Sequence, residues 1–164
     1  MVFPDGEPQE RYDFISTFDH GAEEALQKEL KDQVGYVGRR ETREADVLKL
    51  RLRRANAPGL KPPISGGGGD WMGAGRYYCD DRPLSTEYPE PAEGLTKFLE
   101  VYFGTPVIDE TGLTQHFQID LRWTERGARD PNHELLKRAL LDQLGLELVV
   151  DRAPVEMLVL ARAK

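Results

Sequence analysis

A chain of 164 residues, 39% hydrophobic and 31% charged, is long enough for one domain with its own core and too apolar to be a wholly disordered tail. No stretch approaches the roughly 20 consecutive apolar residues of a membrane-spanning helix. The 22 Lys and Arg against 29 Asp and Glu leave a net charge of −7, which repels a phosphate backbone on average, so nucleic acid is not an expected partner unless basic residues segregate locally.

Residues 1–10 carry two prolines among alternating charges and read as a poorly ordered lead-in. The remainder, 11–164, reads as a single α+β domain. Residues 11–18 (RYDFISTF) have the aromatic and β-branched content of a strand. A helix is predicted over 19–34, capped by Asp19, with Glu23 and Glu24 at its positive end and Ala22, Leu26, Leu30 and Val34 as its buried stripe. Gly35 ends it in the left-handed conformation.

Two strands should follow, 36–40 and 45–53, joined as a hairpin around 41–44. In the second, Leu48, Leu50 and Leu52 alternate with Lys49, Arg51 and Arg53, which puts leucines on the core side and cations in water. Residues 56–94 are rich in proline and glycine, with Gly66, Gly67, Gly68 and Gly69 in a row, and read as a loop interrupted by a short strand at 76–79.

A second helix is predicted from Leu95, where Leu95, Phe98, Leu99, Tyr102 and Phe103 form an apolar stripe closed by Gly104. Val107 and Ile108 lead into a hairpin turn, with Asp109 bonding its own backbone and Gly112 supplying a positive φ. Beyond it Phe117, Ile119, Leu121 and Trp123 alternate with His116, Gln118, Asp120 and Arg122, a half-buried strand. After an Asp130-Pro131 cap, a third helix runs to Gly145. The apolar period then switches to two at Leu146, Leu148 and Val150, with a turn at Arg152-Ala153-Pro154 and a strand over 155–160 that is apolar on both faces and therefore central. The chain is thus three helix-plus-β-hairpin repeats, with helices packed on one face of a mixed or antiparallel sheet and Leu30, Phe98 and Leu140 in one interior.

Several motifs resemble a known family. ETRE at 41–44 followed by Asp46-Val47-Leu48, PVIDETGLT at 106–114, DQLGLEL at 142–148 and RAPVEMLV at 152–159 are similar to those of the soil-associated bacterial family DUF3738. The resemblance covers about 11–163. It departs at Glu110, where Lys or Gln is usual, and in a longer, proline-richer 86–94. It implies an extracytoplasmic location, by attachment to a membrane-anchored metallopeptidase-like sensor region or a thioredoxin-like redoxin region, and no defined biochemical role. A domain excised from a longer protein is the corresponding expectation.

Chemistry-bearing motifs are sparse. The Asp109 turn lacks the lysine of phosphorylated-aspartate pumps and the contiguous Asp-Thr-Gly of aspartic proteases, so it reads as a turn. The glycine run is followed by Asp70-Trp71-Met72, not the Gly-Lys-Ser/Thr of a phosphate loop. His20, His116 and His133 have no ligand spacing. Cys79, the single cysteine, sits beside Asp80 and Asp81, which disfavour its thiolate, and an interchain disulfide stays open.

Neither a cofactor nor a metal is expected. The leading expectation is a non-catalytic extracytoplasmic interaction or sensory module with a protein partner or attached domain. One alternative is an enzyme or enzyme accessory whose site is assembled across repeats. The other is polyanion binding through the hairpin at 39–54, by Arg39, Arg40, Arg43, Lys49, Arg51 and Arg53, although Glu41, Glu44 and Asp46 are interleaved among them.

Overall fold

The protein, as a computed structural model, is described at residues 21–64, 71–73, 75–85, 94–124 and 133–163. The lead-in, the strand predicted at 11–18, Asp19, His20, the glycine run and the Asp130-Pro131 cap lie outside the described residues. Among those described the elements run α1 (Ala22–Glu29), β1 (Tyr36–Leu52), β2 (Trp71–Gly73), β3 (Arg76–Arg82), α2 (Leu95–Phe103), β4 (Val107–Asp109), β5 (Phe117–Arg122), α3 (Glu134–Ala139) and β6 (Leu146–Arg162). The class is α+β, with two three-stranded sheets ordered β4-β1-β6 and β2-β3-β5.

The hairpin repeats do not appear. β1 and β6 are each one continuous strand of 17 residues. The connection expected at 41–44 lies within β1, and the turn expected at Arg152-Ala153-Pro154 lies within β6. The reason is local: the tight turns that suit hairpins place residues at positive φ, and neither segment contains such a residue. Among the described strands β6 lies at the end of its sheet, where one side feeds no ladder and Pro154 is tolerated, and not at the centre anticipated from 155–160.

α1 and α3 are built alike. Each runs into a π-helical turn, Leu30–Val34 (LKDQV) or Leu140–Leu144 (LLDQL). The N–H of Gly35 donates to the Leu30 carbonyl, five residues back, and that of Gly145 is shared between the Leu140 and Leu141 carbonyls. Both glycines are left-handed, at φ +75° and +66°, and each opens directly into a 17-residue strand. α2 also closes on a left-handed glycine, Gly104, but only the three-residue β4 follows.

The chain divides into two compact units, Met1–Ala45 with Ala153–Lys164, and Asp46–Arg152. In the first, α1 lies with the first half of β1 and the second half of β6, where the Ala163 N–H donates to the Gly35 carbonyl at 2.8 Å. The predicted stripe of α1 is only half-buried, and its π-turn has no buried residue. Leu26, Leu30, Gly38, Leu158 and Leu160 line an apolar cavity of about 210 Å³, with Arg39 and Arg40 at its side.

The second unit holds the main core. β4 runs parallel to β1 with Leu48 opposite Val107 and Leu50 opposite Asp109. Lys49 meets Asp151 and Arg53 meets Glu147, so β6 passes β1 in the opposite sense. Leu50, Phe98, Leu99, Ile119, Leu136 and Leu140 belong to one buried cluster. Leu30 does not, so the three predicted stripes do not share an interior. Leu146 and Leu148 keep the predicted inward face of β6, but Val150 is 74% exposed.

Candidate functional site

The six cations singled out in the sequence are all engaged by carboxylates. Arg39 and Arg43 both pair with Glu41, and Arg40 Nη1 lies 2.7 Å from Glu156. Lys49, whose side chain is only 18% exposed, places Nζ 2.9 Å from both Glu110 and Asp151. Arg51 Nε lies 2.9 Å from the second Glu110 oxygen, and Arg53 Nε 2.6 Å from Glu147. Hydrogen bonds donated to Asp151 and Glu110 raise the Lys49 pKa, while those received from Lys49 and then Arg51 hold Glu110 below the usual carboxylate range. Glu110 is thus the residue that neutralises two cations of β1.

The Asp109 turn is formed as predicted in its local bonding. Asp109 Oδ1 accepts from the Thr111 N–H at 2.8 Å and from its hydroxyl at 2.7 Å, and Gly112 is at φ +71°. It is not a hairpin turn, because β4 pairs with β1 in one sheet and β5 with β3 in the other. The turn carries the chain between sheets. Beside it Pro83, Ser85, Asp109, Gly112, Leu113 and Thr114 line a cavity of about 280 Å³.

The richest surface was not anticipated. β2, β3 and β5 form an antiparallel sheet in which Trp71 stands opposite Tyr78 and Tyr78 opposite Asp120, while Gly73 stands opposite Arg76 and Arg76 opposite Arg122. Alternation sends Tyr77, Cys79, Ile119 and Leu121 into the core. It leaves Trp71, Arg76, Tyr78, Asp120 and Arg122 on the other face.

Trp71 is 48% exposed, yet its ring is seated: a Cβ at Gly73 would lie 2.4 Å from it, so the missing side chain is what lets the indole lie along the strand. The Arg76 guanidinium lies 5.8 Å from the indole centroid and 5.1 Å from that of Tyr78. Asp120 fixes both arginines, accepting from Arg76 Nε at 2.7 Å and Arg122 Nη2 at 2.9 Å. Bonds from Arg122 and Arg76 lower the Asp120 pKa to about 2. Next along the face the Tyr78 hydroxyl donates to Asp80, a buried carboxylate that Gln118 also approaches at 3.4 Å.

Cys79 is buried with its thiol 3.8 Å from the Phe117 carbonyl. His116 meets Asp81 at 2.7 Å. His133 occupies the N-cap position of α3 at φ +53° and packs 4.7 Å from Tyr102. Among the described residues no group of three or more His, Cys, Asp or Glu is placed to hold a metal ion, and no helix is long and apolar enough to cross a membrane.

The fold and these sites can be set beside known proteins. The model of a family described as a protein of unknown function, DUF3738, matches residues 3–163. The chain belongs to that family. No curated protein and no solved structure matches it. In this DUF3738 chain the matched span takes in both the Lys49 cluster and the Trp71 face. The signal for the latter was available in the sequence as Trp71-Met72-Gly73 and Arg76-Tyr77-Tyr78, a strand pattern on each side of Gly75, but the surrounding glycines and prolines gave it the look of a linker.

Proposed function

We propose that this chain is a non-catalytic, extracytoplasmic interaction module, and that the outer face of the β2-β3-β5 sheet is its docking surface. One observation carries the reading: a half-exposed tryptophan is seated on a glycine and flanked by an arginine that is itself held by a carboxylate. Rigid aromatic and arginine side chains with little rotamer freedom left are the groups that dominate binding energy at interfaces. The polyanion alternative is weakened because each cation of the 39–53 stretch has a carboxylate within ion-pair distance.

Hydroxyl-radical footprinting tests the reading without knowledge of the partner. The full-length protein is labelled in intact cells and again after purification. Trp71 and Tyr78 should be oxidised several-fold less in cells, with Tyr36 unchanged. Equal labelling of Trp71 in the two settings would refute the docking face. Protease added to spheroplasts with a sealed inner membrane should remove the chain, and its survival would refute the location.

A further inference from the structure

We infer that the partner of the Trp71 face is a neutral polysaccharide, stacked on the indole and hydrogen-bonded to the Asp120, Arg76 and Arg122 ladder. This rests on the docking surface proposed above and adds its ligand class.

The charge arrangement is the first support. Arg76 and Arg122 share the carboxylate of Asp120, and Asp80 receives Tyr78 and Gln118. The charges of Arg76 and Arg122 cancel those of Asp120 and Asp80, so the face favours neither an anionic nor a cationic partner. An uncharged polyol suits both signs, because its hydroxyls both donate and accept. A guanidinium has five N–H donors in a fixed fork, and Arg76 gives Nε to Asp120. Its two terminal nitrogens suit a pair of adjacent hydroxyls, and remaining carboxylate lone pairs accept from others.

The shape is the second support. Trp71, Tyr78 and Asp120 form one row across three strands, and Gly73, Arg76 and Arg122 the next. With strands spaced about 4.8 Å, a row spans roughly 10 Å, enough for two sugar rings in line. A sheet face with one indole laid along it offers the C–H side of a pyranose an apolar contact, while planar polar groups stand beside it. Gly73 leaves room for the indole to lie along the strand and the Arg76 guanidinium stands beside it, so the ring is already in position when a ligand arrives.

Native electrophoresis through gels containing soluble neutral polysaccharides (hydroxyethyl cellulose, a mixed-linkage glucan, a glucomannan and dextran), or alginate as the acidic control, tests the assignment. Retardation is expected in at least one neutral gel and not in alginate. Trp71→Ala should weaken it about tenfold or more, with Trp71→Phe closer to the parent. Gly73→Ala should weaken it too, although it removes no exposed group. Arg122→Ala should weaken it and Val101→Ala, on α2, should not. Each variant is checked for a parental circular-dichroism spectrum and melting curve.

No retardation in any neutral gel, retardation in alginate alone, or retardation that Trp71→Ala leaves intact would overturn the assignment. If Trp71 is nonetheless protected in cells, the ligand class fails and the docking face stands. If Trp71 is unprotected there, the docking face itself fails.

Discussion

The two copies of the helix, π-turn, glycine and long strand make an internal comparison. LKDQVG at 30–35 and LLDQLG at 140–145 adopt the same backbone, with the same five-residue hydrogen bond and a left-handed glycine at the same place. Their surroundings differ. Leu140 and Leu144 are fully buried in the main core, whereas the first copy has no buried residue. Local sequence therefore sets the shape of this motif, and what it packs against sets how much it stabilises.

Truncating the first leucine of each copy should show the largest contrast. Leu140→Ala leaves a cavity in a closed core and should cost about 2–5 kcal/mol. Leu30→Ala removes a side chain that is already half in water and should cost about 1 kcal/mol or less. Urea denaturation monitored by tryptophan fluorescence and circular dichroism measures both, and equal losses would remove the distinction.

The closing glycines should differ by less. Either one replaced by alanine meets left-handed strain of about 1–2 kcal/mol. At Gly145 the new Cβ would also lie 2.5 Å from the Arg54 carbonyl oxygen, whereas at Gly35 there is nothing within 4 Å. Gly145→Ala should therefore lower the melting temperature clearly more than Gly35→Ala.

A smaller effect concerns acid, and it falls in the second unit. Asp120 titrates at about 2 when folded against 3.8 ordinarily. The stabilisation this provides is complete above about pH 4 and is lost as pH falls from 3.8 towards 2. Asp120→Asn should flatten the stability curve in that window and leave its slope near pH 7 unchanged. Lys49→Met should cost stability at neutral pH by removing the Asp151 ion pair and leaving Glu110 with Arg51 alone, an effect smaller than that of Leu140→Ala.

Much of this was legible in the chain. The helix-ending glycines, the bonding of Asp109, the alternation of 117–122 and the cationic side of β1 follow from short-range rules. The strand lengths did not. Arg152-Ala153-Pro154 looks like a turn because proline interrupts central strands, and only the order of the described strands puts β6 at the end of its sheet, where proline is tolerated. Glu41 to Glu44 looked like a polar connection, yet a long strand facing water on both sides is just as polar. The Trp71 face was missed because its three strands come from distant segments, and no linear pattern reveals that Trp71, Tyr78 and Asp120 are in register. The pairing of Glu110 with Lys49 was hidden in the same way, since parallel neighbours lie far apart along the chain.

Amide hydrogen exchange at the two motifs measures most directly whether burial separates them. Amides of 140–146 should exchange slowly, close to the limit set by global unfolding, while those of 30–36 should exchange through local opening at least about tenfold faster. Equal protection of the two copies would contradict the account, because it would mean that the first is held as firmly as the second.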